Sequence, residues 1–206
     1  MIDLRPWSVA PGWVDLHTHG FGGHDVTSGS EADLLGMARK LPSTGVTAFY
    51  ATIASTGPTE TARQVARIAR AMEGLDNASS EILGIRLEGP YISRAKRGAQ
   101  YEPAIRRPDP DELQALVSQG PIRMVDFAPE EDDDFRLLQA MLQFGLIPSI
   151  GHTTATYART IAAIDAGARH CAHLFNAMPP LEHRAPGAAG ALLCDGRPSV
   201  EIIADG

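Results

Sequence analysis

Five side chains pose the chemical question. His17 and His19 stand two apart in Trp13-Val14-Asp15-Leu16-His17-Thr18-His19-Gly20; Glu88 falls in Leu87-Glu88-Gly89-Pro90, His152 in Gly151-His152-Thr153, and His173 in His173-Leu174-Phe175-Asn176. Residues two apart on an extended strand point to the same side, so His17 and His19 converge. Converging imidazoles are good ligands for a divalent cation. Glu88, His152 and His173 add a carboxylate and two more imidazoles, a three-ligand set that leaves a position open for water, as catalytic rather than structural metal sites do. Taken singly, each has a bland explanation: a packed or hydrogen-bonded histidine, or a glutamate in a buried ion pair. Three candidate ligands at the ends of three separate apolar runs favour the metal.

Holding such residues at one level requires a repeating frame, and the chain has one. Apolar, β-branched runs at 13–20, 46–53, 82–89, 122–129, 146–153, 170–176 and 199–205 are predicted strands, and helical periodicity marks 31–41, 59–73, 110–119, 132–144 and 155–166. Ser30 and Asp109 precede two of the helices as N-caps, and Gly120, Gly145 and Gly167 follow helices near the C′ position. Strands alternating with helices, with nearly continuous apolar strands, predict a parallel sheet covered by helices. Gly20 to Gly23 lacks the Gly-x-Gly-x-x-Gly spacing of a dinucleotide-binding turn, which favours a TIM-type (β/α) barrel over an open doubly wound sheet. Active sites of such barrels sit at the C-terminal ends of the strands, where the five residues fall. A complete barrel has eight strands in about 250 residues; seven are read here, so one barrel domain over 1–206 is expected to stop before the eighth strand.

Composition agrees. The chain has 206 residues, 44% hydrophobic and 21% charged, with a formal charge of −7, which suits one globular domain rather than a disordered or collagen-like chain. Scattered acidic charge argues against nucleic acid as a partner. No apolar run is long enough for a membrane span and no signal-peptide pattern opens the chain, so a cytoplasmic protein is expected. Cys171 and Cys194 fit no zinc or disulfide pattern and are expected to be buried, reduced thiols.

The ordered motifs resemble the N-acetylglucosamine-6-phosphate deacetylases of the amidohydrolase superfamily over essentially the whole chain. The resemblance is carried by Pro11-Gly12-Trp13-Val14-Asp15-Leu16-His17-Thr18-His19-Gly20, Leu87-Glu88-Gly89-Pro90-Tyr91, Gly151-His152-Thr153, His173-Leu174-Phe175-Asn176-Ala177-Met178, His183-Arg184-Ala185-Pro186-Gly187 and Glu201-Ile202-Ile203-Ala204-Asp205-Gly206. It implies hydrolysis of the acetamide of N-acetylglucosamine 6-phosphate to glucosamine 6-phosphate and acetate. Glu88, His152 and His173 would hold a principal metal, and His17 and His19 with Glu88 a second. Zinc is the first candidate, with iron, cobalt or manganese acceptable to the same ligands. Ala99, Gln100, Asn176 and Ala177 would contact the sugar phosphate, and Arg184 the phosphate in a neighbouring subunit of a homodimer. Two further readings are the galactosamine 6-phosphate epimer as substrate and an inactive, metal-binding truncated fragment.

Related barrels such as hydantoinases and dihydroorotases bridge two metals with a carboxylated lysine on the fourth strand. Here that strand, Ile122-Arg123-Met124-Val125-Asp126-Phe127-Ala128-Pro129, has none, and Lys40 and Lys96 are the only lysines in the chain; Glu88 is the natural substitute. The chain departs from the resembled family at Gln100, where histidine is common. The family's general-base aspartate, on the eighth strand, and a substrate histidine just after the Ala204-Asp205-Gly206 run would both fall beyond Gly206. The small β-domain of the family is also absent, so no catalytic proton-transfer residue is assigned within the chain. His24, His170 and His183 are read as surface or hydrogen-bonding residues, Asp25 as fixing the glycine-rich loop, and Glu130 to Asp134 as a solvated helix N-terminus. Asp15 and Arg86, each two residues before a ligand, are expected to form a buried pair beneath the metals.

Overall fold

Each apolar run becomes a strand because its β-branched residues fit a surface buried on both faces. The computed structural model describes residues 8–205. In order they form β1 (Trp13–Thr18), a small hairpin of β2 (Gly20–Phe21) and β3 (His24–Asp25), α1 (Glu31–Lys40), β4 (Val46–Ala54), α2 (Pro58–Glu73), β5 (Glu81–Glu88), α3 (Pro110–Val117), β6 (Ile122–Phe127), α4 (Arg136–Gln143), β7 (Ile147–Ile150), α5 (Tyr157–Ala166), β8 (His170–Cys171), α6 (Gly187–Cys194) and β9 (Ser199–Val200). Seven strands lie in one sheet in the order β1-β4-β5-β6-β7-β8-β9, all neighbours parallel. The sheet curls into an incomplete TIM-type barrel, as expected.

Helices seal the outside of the sheet. Val65 and Ile68 of α2, Leu113 and Leu116 of α3, and Leu137 and Met141 of α4 join Phe49, Ile85 and Phe127 of the strands in one buried cluster. Burying such a side chain is worth about 1.5–3 kcal/mol, which holds the helices to the sheet. Ser30 caps α1 as expected, and Asp33 completes a capping box: Ser30 Oγ accepts from Asp33 N–H at 3.2 Å, and Asp33 Oδ2 accepts from Ser30 N–H at 2.7 Å. Asp109 caps α3 through Asp111 and Glu112 N–H, and Asp25 ties the glycine-rich loop by accepting from the Ser28 hydroxyl at 2.7 Å.

Some local expectations need correction. The helix expected over 132–144 starts at Arg136, and the acidic run before it is not simply a solvated face. Asp132 is buried and accepts from Leu137 and Leu138 N–H at 3.0 and 2.9 Å, while Glu130 turns to Thr153 and Thr154. The strands expected over 170–176 and 199–205 end at Cys171 and Val200. Rungs continue beyond β9, Glu201 N–H to Cys171 C=O at 3.0 Å and Leu174 N–H to Glu201 C=O at 2.7 Å.

The two thiols also part company: Cys171 is buried as expected, whereas Cys194 is exposed at the end of α6. Burial pushes the Cys171 thiol above the usual range. Titration of the folded protein with a disulfide reagent near pH 8 is expected to modify one thiol per chain quickly and the second only after denaturation. Two fast thiols in the folded state would contradict the buried setting of Cys171.

Candidate metal centre

The strand ends bring the five predicted residues together. Glu88, last residue of β5 and 5% exposed, sits at the centre. Its Oε1 lies 3.3 Å from His17 Nε2, 3.0 Å from His152 Nε2 and 3.1 Å from His173 Nε2, and its Oε2 is 2.8 Å from His19 Nε2. Two overlapping groups result, His17-His19-Glu88 and Glu88-His152-His173, each with ligand atoms within 4.8 Å of one another. His152 and His173 adopt positive φ values of 47° and 26°. The left-handed conformation is uncommon for side-chain-bearing residues and clusters at functional sites. It also explains why His173 follows β8 rather than lying on it.

The hydrogen bonds behind the imidazoles choose the ligand atom. His152 Nδ1 faces the Lys96 carbonyl at 2.8 Å, His19 Nδ1 the Thr52 carbonyl at 3.2 Å, and His17 Nδ1 a Glu201 carboxylate oxygen at 3.4 Å. An Nδ1–H donated outward leaves the Nε2 lone pair directed inward. Inward nitrogens meet at 3.3 Å between His17 and His19 and at 3.2 Å between His152 and His173. Each such contact can share at most one proton, so the cluster concentrates lone pairs in a way that suits a divalent cation. Burial disfavours ionising Glu88, but without a cation the imidazole Nε2–H groups that face it outweigh burial and hold the carboxyl far below the usual range; a bound cation would take the place of those protons. For His17, burial opposes protonation, yet Glu201 and Glu88 raise it to about 9.

A cavity of about 560 Å³ opens onto this cluster, lined by His19, Glu88, His152 and His173 together with Ala99, Gln100, Asn176 and Ala177. Arg184 is exposed and is not among its lining residues. Gln100 is more committed than the sequence suggested: its Oε1 accepts from Ser55 N–H at 2.7 Å and its Nε2 donates to Glu88 Oε2 at 2.5 Å. Lys40 Nζ donates to the Gly22 carbonyl at 2.7 Å, and Lys96 meets His152 Nδ1 through its main-chain carbonyl.

Beneath the cluster the expected Asp15–Arg86 pair is replaced by another. Arg86 is fully buried and donates Nε and Nη2 to Asp126 Oδ2 and Oδ1, both at 2.8 Å, and Nη1 to Glu201 Oε1 at 2.6 Å. Asp126 lies on β6, the immediate neighbour of β5, in register with Glu88, whereas β4 separates β5 from Asp15 on β1. The register of β1 also slips between Asp15 and Thr18, and Asp15 accepts from His17 N–H at 2.9 Å instead. A charged residue at an inward position of the apolar strand Ile122–Phe127 was the available sign of Asp126; nothing local marked Glu201.

The curled parallel sheet carries histidine pairs and a glutamate at its strand ends, and residues 8–206 match the amidohydrolase family model: the chain belongs to that family. Within it, the chain is similar to the N-acetylglucosamine-6-phosphate deacetylase of Bacillus subtilis (strain 168), with 39% identity over 202 residues covering 96% of this chain and 51% of that protein. Among solved structures it is similar to the N-acetyl-D-glucosamine-6-phosphate deacetylase of Mycobacterium smegmatis, with TM-score 0.88, 38% identity, and coverage of 95% of this chain and 51% of that one. A mutant of the Mycobacterium smegmatis enzyme, solved in complex with N-acetyl-D-glucosamine-6-phosphate, aligns with TM-score 0.84 and 38% identity over 93% of this chain and 50% of that one. The chain thus spans about half the length of the curated relatives it matches.

Proposed function

We propose that the metal centre serves hydrolysis of the acetamide of N-acetylglucosamine 6-phosphate, giving glucosamine 6-phosphate and acetate. The observation that carries this reading is the convergence of Glu88 with two histidine pairs at the mouth of a sugar-sized cavity. Glu88, His152 and His173 hold the principal ion, and His17 and His19 share Glu88 with a second. Zinc is the first candidate, with iron, cobalt or manganese as alternatives. A bound cation supplies an acidified water and polarises the acetamide carbonyl.

The protein's own groups orient the substrate. Ala99, Gln100, Asn176 and Ala177 contact the sugar phosphate from the cavity wall, and Arg184 takes the phosphate across a homodimer. Residues 1–206 act as one barrel domain of a cytoplasmic enzyme, with the general-base aspartate supplied by an eighth strand beyond Gly206. Among the described residues no helix is long and apolar enough to cross a membrane.

The metal-loaded chain is expected to bind N-acetylglucosamine 6-phosphate by calorimetry, more tightly than its galactosamine epimer. A folded, metal-loaded chain that binds neither sugar phosphate and releases no acetate would overturn the reading.

A further inference from the structure

The backs of the four imidazoles are not treated alike. His152 and His19 rest on main-chain carbonyls, and His173 Nδ1 is buried with no partner among the described residues. His17 alone is backed by a carboxylate, that of Glu201. Glu201 is in turn heavily anchored. Its main chain is pinned in rungs to Cys171 and Leu174, its Oε1 accepts from Arg86 Nη1 at 2.6 Å and lies 3.3 Å from His170 Nε2, and its Oε2 faces His17 Nδ1 at 3.4 Å. Arg86 is itself clamped by both oxygens of Asp126. The result is a continuous chain of charged hydrogen bonds, Asp126 to Arg86 to Glu201 to His17, running from the buried floor up to one ligand of one metal group.

We propose that Glu201 is the positioning residue of His17: by taking the Nδ1 proton it fixes the imidazole tautomer and aims Nε2 into the His17-His19-Glu88 group. The geometry limits the effect to that group, because His152 is backed by the Lys96 carbonyl and His173 Nδ1 has no partner among the described residues. An anionic acceptor also makes the imidazole a stronger donor than a carbonyl acceptor does, so Glu201 raises the affinity of the group it backs. This inference rests on the metal-centre reading but is testable apart from it, since the tautomer of His17 is a property of the metal-free protein.

The test uses the whole chain and the variants Glu201→Ala and Glu201→Gln. Two readouts are taken: the ¹⁵N shifts of the His17 ring without metal, and zinc binding by calorimetry with metal analysis. In the parent protein, at a pH well above 9 where the ring is neutral, His17 is expected as the Nδ1–H tautomer. Glu201→Ala should turn it into a tautomer mixture and weaken the His17-His19-Glu88 group by about 10–100-fold, the usual effect of losing an outer hydrogen-bond partner, while the Glu88-His152-His173 group changes by less than about threefold. Glu201→Gln, whose amide oxygen still accepts, should keep the tautomer and lose less affinity. An unchanged His17 tautomer in Glu201→Ala overturns the proposal, as does an equal loss of both zinc groups, which would assign Glu201 a purely structural part. A parent protein that takes up no zinc would overturn the metal-centre reading, while the His17 tautomer would still decide the contact with Glu201.

Discussion

Replacing Glu88 with glutamine is expected to empty both metal groups at once, with zinc affinity falling at least about 10³-fold and acetate release falling with it. Loss of an outer hydrogen-bond partner already costs metal sites about 10–100-fold, and Glu88 stands closer. It is the one residue common to both groups, its two oxygens reaching four imidazole nitrogens between 2.8 and 3.3 Å. Glutamine has nearly the same volume, so the packing around β5 should survive and the effect is electronic. The change removes the only carboxylate among the five candidate ligands and weakens attraction for any cation. It also places an NH₂ group either at the Oε2 position, which meets both His19 Nε2 and Gln100 Nε2 so that two donors would face each other, or at the Oε1 position among His17, His152 and His173. A tenfold loss in water-activating power is about 1.4 kcal/mol, so 10³-fold asks about 4 kcal/mol of the metal, within the range of its charge stabilisation. Circular dichroism should show the parent fold, and metal analysis fewer than about one ion in ten chains. A Glu88→Gln protein that still binds two ions, or retains acetate release within tenfold, would remove Glu88 from the centre of the site.

The candidate ligands were legible because a barrel converts strand position into spatial level. Once His17, Glu88 and His152 are read as strand-end residues, the fold alone brings them together, with no knowledge of contacts required. The features that escaped are those that depend on irregularity or distance. Asp15 and Asp126 both belong to strand patterns, and only a register slip in β1 and the order of strands decide which meets Arg86. Glu201 meets His17 across 184 residues, and the apolar residues that follow it disguise its inward turn. Helix α6, Gly187–Cys194, was not foreseen because its glycine and alanine run has neither polar face nor helical period; it is buried on most sides. His173 was placed on a strand because the sequence carries no sign of the positive φ that ends β8.

Removing Arg86 is expected to threaten the fold itself. The guanidinium is fully buried, and it offsets Asp126, also fully buried, and Glu201, which is partly so. Burial alone would favour neutral arginine, but the two carboxylates outweigh it and hold the charge firmly. Arg86→Met therefore leaves two carboxylates near one another without their cation, and breaking a buried pair in this way costs about 3–5 kcal/mol. Native domains hold only about 5–15 kcal/mol in reserve, so the urea midpoint should fall by about a fifth or more. Simple loss of packing would cost less, because methionine fills much of the arginine volume. The double variant Arg86→Met with Asp126→Leu separates the two causes. It replaces an ion pair with apolar groups of similar size, a change that is often neutral or stabilising, and should return stability to within about 2 kcal/mol of the parent. The double variant should nevertheless leave Glu201 held only by His17 and His170, so zinc binding at the His17 group should stay weakened even where stability recovers. An Arg86→Met protein within about 1 kcal/mol of the parent, or a double variant no more stable than the single, would mean that the floor of the site is not held by charge.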